Sequence, residues 1–372
     1  MALKVGLVAR CLNTAHIRGM GRYVYELLRQ SQTRGDIHWS VFGDDPRHPL
    51  TVPSGPAMDV DVFEFKGDRF NLWEQVGLPR RALQHGVDIL HCTEATLPWW
   101  QPIPTIVSLH DTLMWGEPRT GMADVAYVDH LLPAAYDKCA AIITISESSR
   151  DDILKKWPQH ESKLSAIYMG IADEYFTDEF VELPPHLTTW IGTSTYIVYL
   201  GGALERKRFG WALEVLGRCT DKSLKLVACG FAGEGRTRAM RSLPAELQDR
   251  VHFANFLLDK ELRALYRGSA AVLYPSLYEG FGFPAVEAQV AGVPAIFSAL
   301  GSLRELIGPL AMVVPPYDMD AWLAALFQAR SMGEARAEKV RAARAWARKF
   351  SWSENFDRHL AIYQKVANAR AN

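Results

Sequence analysis

Cysteine is scarce in this sequence, and no two cysteines are spaced as a redox or metal-binding pair. The 372 residues include five cysteines, none of them in a C-x-x-C pair. This argues against a disulfide framework or a zinc cluster and favours a reducing compartment. No apolar run approaches the roughly 20 residues of a membrane span, and the apolar stretch at the start is too short for a secretory signal. The sequence therefore predicts a soluble, cytoplasmic protein.

An excess of charge of either sign is also lacking. Lys and Arg total 41 and Asp and Glu total 42, which gives a formal net charge of -1. A dedicated nucleic-acid-binding protein carries a strongly basic surface, so we expect no nucleic-acid partner. No internal repeat of about 20–50 residues is visible, and a globular chain of this length suits two domains better than one core.

What the sequence does contain is a series of short Val- and Ile-rich runs that alternate with helical patterns. Near-continuous apolar strands of this kind are typical of parallel sheets covered by helices on both faces. The alternation stops at 173–194, a stretch with a Pro pair and no clear period, and then restarts. The predicted strands are 4–9, 39–42, 88–91, 105–109 and 141–145 in the first half, and 196–200, 225–228, 250–253, 270–274, 294–297 and 311–314 in the second.

This pattern predicts an α/β protein with two doubly wound domains facing each other across a deep cleft. The first domain covers 1–172, a linker covers 173–194, and the second domain covers 195–351. Residues 352–372 are predicted to form a helix that packs back on the first domain, and the segment SWSE that opens it matches a capping box. Sheets of this kind bind ligands beyond the carboxyl ends of their strands.

The most informative segment is YPSLYEGFGFPAVE at 274–287. A strand ends at its start, a glycine-containing turn follows, and Pro284 suits the first turn of a helix. Glu279 is thus predicted in the loop and Glu287 on the first turn of the helix. A carboxylate accepts hydrogen bonds from vicinal hydroxyls, and the glycines let the amides of 280–282 approach a ligand. The alternative is that Glu279 is a surface charge and Glu287 complements the helix dipole.

The run from Glu279 to Glu287 resembles the E-x7-E signature of retaining glycosyltransferases of family 4. The resemblance covers nearly the whole chain and implies the GT-B fold of two Rossmann-like domains. It implies that Glu279 contacts the sugar of a nucleotide-sugar donor and that Glu287 holds the ribose. The amides of Gly280, Phe281 and Gly282 would then support the sugar and the phosphates.

A second match is YLGGALERKR at 199–208. Glycosyl transfer leaves negative charge on the departing diphosphate, which adjacent cations at a strand end would stabilise. The family often places an Arg after the first Gly and a Lys further on. Here Gly202 stands where that Arg is expected, so Arg206 beside Lys207 is interpreted as the second charge. The alternative is that both are solvated loop cations.

The first domain carries two further matches. Gly19 and Gly21 precede and open a helix and would let a phosphate or an acceptor approach its N-terminus, as in the family. A dinucleotide-binding fingerprint would need a third glycine where Val24 stands, which argues against a dehydrogenase. His110 ends a strand, and the resemblance implies that it reaches the donor sugar. The alternative for His110 is a capping or packing role.

The resemblance also bears on the donor and on metals. In the family, the positions of Phe256 and Leu257 bind the base through backbone atoms. No H-E-x-x-H is present and the histidines show no metal-binding spacing, so no metal or other cofactor is expected, and helix N-termini with Arg206 and Lys207 would take its place. Likeness to bacterial polysaccharide mannosyltransferases favours GDP-mannose over UDP-glucose. The acceptor is expected to be a carbohydrate or lipid-linked hydroxyl.

Other functions stay open at this stage. A non-catalytic nucleotide-sugar-binding protein would keep the donor site without transfer, and the missing Arg at Gly202 favours it. A nucleotide-sugar epimerase of the same fold would need acid and base carboxylates in the first domain, where Asp111 is the visible candidate. Aromatic and basic residues at 70–74, 79–81 and 99–100 predict either buried packing or peripheral membrane contact near a lipid-linked acceptor.

Overall fold

A computed structural model describes residues 2–14, 17, 19–32, 34–65, 71–116, 121–333 and 335–371. The chain divides into two compact units, one formed by Met1–Gly170 with Trp352–Asn372 and the other by Ile171–Ser351. Each unit is built on its own parallel sheet, with helices between most of the successive strands. The prediction of two doubly wound α/β units is therefore confirmed.

The described strands of the first unit form a seven-stranded parallel sheet in the order β3-β2-β1-β4-β5-β6-β7. Its direction of winding reverses between β1 and β4, which are neighbours. Strands β4, β5 and β6 are buried along their whole length, as their apolar runs predict. The strands are β1 (Leu3–Val8), β2 (Ile37–Gly43), β3 (Met58–Val62), β4 (Ile89–Cys92), β5 (Thr105–Ser108), β6 (Ala141–Thr144) and β7 (Leu164–Ala166).

Helices connect these strands on both faces of the sheet. Two π-helical segments, Trp73–Gly77 and Ala126–Leu131, lead directly into the helices that follow them. The α-helices are α1 (Met20–Gln30), α2 (Leu78–His85), α3 (Leu113–Gly116), α4 (Met122–Val125), α5 (Leu132–Lys138) and α6 (Glu147–Lys156).

The described strands of the second unit form a six-stranded parallel sheet in the order β10-β9-β8-β11-β12-β13, which reverses between β8 and β11. Its strands are β8 (Tyr196–Leu200), β9 (Lys225–Cys229), β10 (Val251–Phe253), β11 (Val272–Tyr274), β12 (Ala295–Phe297) and β13 (Ala311–Val313). Its helices are α7 (Pro185–Ile191), α8 (Phe209–Arg218), α9 (Gly233–Arg241), α10 (Asp259–Gly268), α11 (Phe283–Val290), α12 (Met319–Arg330) and α13 (Ala335–Ala347).

The segment 173–194, predicted as a linker, belongs to the second unit. It contains a 3-10 turn, Asp173–Phe176, as well as α7. Arg263 of α10 is buried and donates to the carbonyl oxygens of Glu174 at 2.6 Å and Glu179 at 2.7 Å. These contacts, together with the buried side chains of Tyr175, Leu187 and Ile191, hold the segment in the second unit.

The last helix, α14 (Trp352–Ala371), belongs to the first unit. A chain of buried hydrogen bonds joins it to α1 and to the sheet. His359 Nδ1 lies 2.7 Å from a backbone carbonyl oxygen of its own helix, so Nδ1 carries the proton and Nε2 accepts from the Tyr23 hydroxyl at 2.7 Å. Tyr23 then accepts from Ser108 at 2.7 Å, and Ser108 accepts from His91 Nε2 at 2.8 Å. Both imidazoles are neutral in this arrangement.

We expect acid to weaken the attachment of α14. Burial lowers the pKa of His359 to about 4 from an ordinary 6.5, so protons bind the unfolded chain first. The neutral imidazole makes its full contribution to the free energy of unfolding above about pH 6.5. This contribution is lost as the pH falls towards about 4. The loss amounts to roughly 3 kcal/mol, since one pKa unit corresponds to about 1.4 kcal/mol. Denaturant unfolding at a series of pH values measures it.

The matched controls are two histidine variants. His359→Gln keeps an acceptor for the Tyr23 hydroxyl but does not titrate, so it should reduce the acid loss. His130→Gln changes an exposed histidine and should leave the loss as in the unmodified chain. An unchanged pH dependence in His359→Gln would contradict the assignment.

Candidate active site

The second unit brings charged residues together where its strand order reverses. The loop after β8 carries Arg206 and Lys207, and the loop after β11 carries Glu279. Because β8 and β11 are neighbours, both loops leave the same edge of the sheet at adjacent points. Open α/β sheets bind ligands at the carboxyl ends of strands at such a reversal.

Both predicted cations contact the predicted sugar-binding glutamate. Lys207 Nζ lies 3.1 Å from Glu279 Oε1, and Arg206 Nη1 lies 3.0 Å from Glu279 Oε2. Arg206 also donates to the carbonyl oxygen of Tyr278 at 2.6 Å, which ties the two loops together. The Glu279 carboxylate is buried and both cations are at least half-buried, so neither alternative, a surface glutamate or solvated loop cations, describes them.

The cluster keeps Glu279 ionised. Burial on its own raises the pKa of Glu279, but the charges of Lys207 and Arg206 and hydrogen bonds from Ser276 and Tyr274 outweigh it, so the pKa is lowered from its ordinary value. Glu279 is therefore a fixed carboxylate that can accept hydrogen bonds from sugar hydroxyls. The sequence analysis missed Ser276 and Tyr274, which lie just before the signature and carry no motif of their own.

Ser302 holds the loop that joins Glu279 to α11. Its Oγ lies 2.7 Å from the carbonyl oxygens of both Glu279 and Phe281. Gly282 has a φ of 109°, and a Cβ there would lie 2.5 Å from the Leu303 side chain. Only glycine fits this position without strain. Gly280 and Phe281 are buried in the same loop.

Glu287 does not lie on the first turn of α11. The helix begins at Phe283, and its first turn contains no acidic residue. The position predicted for Glu287 was therefore wrong, because the helix begins at Phe283, one residue before Pro284, which makes Glu287 its fifth residue. The helix-dipole alternative loses its support as well, since that effect falls off within the first turn. Glu287 is buried in the body of the helix.

Gly202 explains why the arginine of the family is absent here. Its φ is 68°, and a Cβ at this position would lie 2.5 Å from the carbonyl oxygen of Gly230. The Gly202 amide donates to the carbonyl oxygen of Cys229 at 3.2 Å, which holds the loop against β9. No side chain fits there, and Arg206 of the same loop brings the second positive charge to Glu279 instead.

The base position predicted from the family lies after β10. Phe256 and Leu257 are half-buried in that loop. Arg236 of α9 donates to Asn255 Oδ1 at 2.8 Å and to the carbonyl oxygen of Phe253 at 2.8 Å. Arg236, which the sequence analysis did not single out, therefore orders this loop.

In the first unit, His110 follows β5 and is 7% exposed. Its Nε2 donates to the carbonyl oxygen of Thr93 at 2.8 Å, and Nδ1 has no hydrogen-bond partner in the described parts of the chain. Burial lowers the pKa of His110, so the imidazole is neutral and Nδ1 is an acceptor. It can accept a hydrogen bond from a ligand hydroxyl. Asp111, the epimerase candidate, instead accepts from the Leu113 amide at 3.0 Å.

The glycine-rich motif is described only in part. Gly19 caps α1 with a φ of 49°, and Gly21 lies in the first turn, where a Cβ would lie 3.1 Å from the Cys11 carbonyl oxygen. Arg18 lies outside the described residues.

Across the described residues there is no group of three or more side chains that could hold a metal ion. None of the described helices is long and apolar enough to cross a membrane.

Solved structures with the same architecture define the class of fold. WaaG, a glycosyltransferase involved in lipopolysaccharide biosynthesis, matches with a TM-score of 0.72 at 15% identity, covering 96% of this chain and 99% of WaaG. The Anabaena protein HepE in complex with UDP-glucose matches with a TM-score of 0.69 at 14% identity, covering 99% of both chains. At these identities the likeness shows the fold, which is GT-B.

Family models identify the chain more closely. The model described as "Glycosyl transferases group 1" matches residues 188–346, and the model described as "Glycosyltransferase Family 4" matches 17–175. The chain therefore belongs to the family 4, group 1 glycosyltransferases. O-antigen chain mannosyltransferase B of Escherichia coli is 26% identical over 265 residues, which cover 70% of each chain.

Proposed function

We propose that this glycosyltransferase moves mannose from GDP-mannose to a hydroxyl of a carbohydrate or lipid-linked acceptor, with retention of anomeric configuration, in polysaccharide or glycoconjugate biosynthesis. The observation that carries the proposal is the meeting of Arg206 and Lys207 with Glu279 at the strand reversal of the second unit. The mannosyltransferase named among the relatives favours mannose. UDP-glucose is the second choice, because HepE binds it.

The cluster supplies the electrostatics that such a transfer needs. As the bond between the sugar and the β-phosphate breaks, its electron pair goes to the phosphate oxygen, and Lys207 and Arg206 stabilise the charge that develops. Glu279 accepts hydrogen bonds from the sugar hydroxyls. We propose that the second unit binds the donor and the first unit the acceptor. Phe256 and Leu257 then contact the base of the donor nucleotide.

Retention follows from attack on the same face as the departing phosphate. In this scheme the acceptor oxygen forms the new bond, and the phosphate oxygen takes its proton. His110 Nδ1 accepts a hydrogen bond from a donor hydroxyl, and Gly19 and Gly21 let a ligand approach α1. The two cations perform the charge stabilisation that a divalent ion performs elsewhere, and we propose transfer without a metal. Product formation in the presence of EDTA, followed by NMR of the anomeric proton, tests both points.

Glu287 is proposed to bind the donor ribose, and Glu287→Gln is the variant that tests it. Loss of a charged acceptor should weaken donor binding by about 10–100-fold, because hydrogen bonds to charged groups contribute roughly 1.5–3 kcal/mol. Thermal shift against a panel of nucleotide sugars identifies the donor, and calorimetry then measures its affinity. Glu246→Gln, at an exposed site in the same unit, is the control and should bind as before. Unchanged affinity in Glu287→Gln would count against the ribose role.

A non-catalytic role loses its argument once Arg206 is seen beside Glu279, since the missing arginine at Gly202 was its support. Donor binding without product across a panel of acceptors would restore it.

We place the protein in the cytoplasm with peripheral membrane contact. Trp99 and Trp100 are 48% and 44% exposed, and Lys138 Nζ lies 3.0 Å from the ring centroid of Trp99. Cosedimentation with anionic vesicles tests that contact.

A further inference from the structure

A buried tyrosine hydroxyl contacts the loop that carries the two cations of the second unit. Tyr199 lies near the carboxyl end of β8, and its side chain is fully buried. Its hydroxyl donates to the carbonyl oxygen of Gly202 at 3.0 Å and to that of Lys207 at 3.2 Å. These two carbonyl groups lie near opposite ends of the loop, so one hydroxyl joins them.

The hydroxyl has one hydrogen atom for two acceptors. A shared, three-centre hydrogen bond of this kind keeps both carbonyl groups close to a single oxygen atom. The loop between them contains a 3-10 turn, Glu205–Lys207, in which the Lys207 amide donates to the carbonyl oxygen of Leu204 at 3.0 Å. Lys207 therefore lies on a short turn whose backbone is attached to Tyr199.

The glycine before Gly202 leaves room for this hydroxyl. A Cβ on Gly201 would lie 2.5 Å from the Tyr199 hydroxyl oxygen, which is closer than non-bonded atoms approach each other. Any side chain at this position would therefore displace the hydroxyl from its two acceptors. Two aromatic rings pack around Tyr199, with the ring centroid of Phe209 at 5.1 Å and that of Phe231 at 6.0 Å. These contacts hold the tyrosine ring in place.

The residue after Lys207 has a strained backbone. Arg208 has a φ of 53°, in the left-handed region, which is unfavourable for a residue with a Cβ. Such strain persists where surrounding contacts hold the backbone in one conformation. The Tyr199 hydroxyl contacts the carbonyl group of the peptide bond that joins Lys207 to Arg208. Loss of this hydrogen bond should let the turn relax, and Lys207 would move with it.

We propose that Tyr199 is a positioning residue for glycosyl transfer, which fixes the loop after β8 through its hydroxyl and so sets the place of Lys207 relative to Glu279. The proposal rests on the proposed transferase function, in which Lys207 stabilises the charge on the departing phosphate. Such stabilisation is effective when the charged group is in place before the reaction. The Leu277 amide donates to the carbonyl oxygen of Arg206 at 2.9 Å and gives the loop a second attachment, so loss of the hydroxyl should displace Lys207 only in part.

Tyr199→Phe removes the hydroxyl, keeps the ring and tests the proposal. It should lower kcat by about 10-fold, because a hydrogen bond that preorganises Lys207 is lost. The KM for the donor should stay within about threefold, since the charge on the diphosphate is largest in the transition state. Initial rates of the full chain give both constants. The probes are GDP-mannose, or the nucleotide sugar that the thermal-shift panel identifies, with saturating methyl α-mannoside as acceptor.

Tyr196→Phe is the matched control on the same strand. The Tyr196 hydroxyl is also buried and donates to the carbonyl oxygen of Leu265 at 2.8 Å, at the end of β8 opposite to the loop. Each variant loses a buried hydroxyl, so both should lower Tm by a similar amount, about 2–5 °C. Only Tyr199→Phe should lower kcat. An equal kcat in the two variants overturns the proposal, because a merely structural role affects stability alone.

A double-mutant cycle shows whether Tyr199 acts through Lys207. In the Lys207→Met background, Tyr199→Phe should lower kcat further by about threefold or less, because the side chain that Tyr199 positions is gone. A further fall of about 10-fold in that background would show that the two residues act independently, which overturns the proposal.

Hydrogen exchange separates failure of this proposal from failure of the proposed function. The amides of Lys207 and Arg208 donate within the turn, and Tyr199→Phe should make them exchange about 10-fold faster, whereas Tyr196→Phe should not. If the chain transfers no sugar from any donor, this response still supports the positioning of Lys207 by Tyr199. Unchanged exchange in a folded Tyr199→Phe protein overturns it. If that variant does not fold, exchange of these amides in the unmodified chain at the rate of unprotected amides overturns it.

Discussion

Replacing Lys207 with methionine should lower kcat/KM for sugar transfer by about 10²–10³-fold. Loss of one preorganised group that stabilises developing charge costs roughly 2.7–4 kcal/mol in enzymes where it has been removed. Methionine fills much of the same volume, so the loop after β8 should keep its fold. Initial rates of transfer at saturating acceptor, with donor concentration varied, give the measurement.

The control for this variant is Lys260→Met, which removes an exposed cation from α10. It should transfer at the rate of the unmodified protein. The Lys207 variant should also gain a new pH dependence. Burial raises the pKa of Glu279, and one of the two cations that offset this is then gone. Glu279 should take up a proton at a higher pH, with loss of activity on the acid side. A rate within about twofold of normal would remove Lys207 from the mechanism.

The substitution Gly202→Arg, which introduces the arginine found in the family, should disrupt the loop after β8 and should not improve catalysis. The left-handed φ costs a non-glycine residue about 1–2 kcal/mol, and the clash with the Gly230 carbonyl oxygen at 2.5 Å adds to it. We expect a total loss of about 2–4 kcal/mol, which corresponds to a fall in Tm of roughly 5–10 °C for a unit of this size. The Tm of thermal unfolding and the affinity for the donor should fall together.

Gly210→Ala is the matched control, because a Cβ at this position in α8 meets nothing within 4 Å. It should raise stability slightly, since alanine favours a helix over glycine. Higher transfer activity in a stable Gly202→Arg protein would show that Arg206 does not replace the missing residue.

The sequence predicted the buried strands well because a strand covered on both faces leaves an uninterrupted apolar run. It missed the edge strands β3 and β7 for physical reasons. β3 is partly exposed and alternates Asp with Val, and β7 (Leu-Ser-Ala) contains neither Val nor Ile, so neither leaves the apolar run by which the other strands were predicted. The order of strands in each sheet has no local signature, since it is decided by which loops and helices pack together.

The candidate site shows the same division between local and distant information. The spacing of Glu279 and Glu287 is local and can be predicted, whereas the start of α11 depended on the backbone conformation of Gly282. The contact of Arg206 and Lys207 with Glu279 joins residues more than 70 positions apart.

The ion pairs of Glu279 have a consequence for the catalytic cycle. This carboxylate is an internal counterion that keeps Lys207 and Arg206 ordered. If the donor binds as proposed, its diphosphate has to compete with Glu279 for the two cations, and we expect this competition to weaken ground-state affinity. We expect Glu279 to regain both partners as the nucleotide leaves. The same side chain that orders the site would then favour product release.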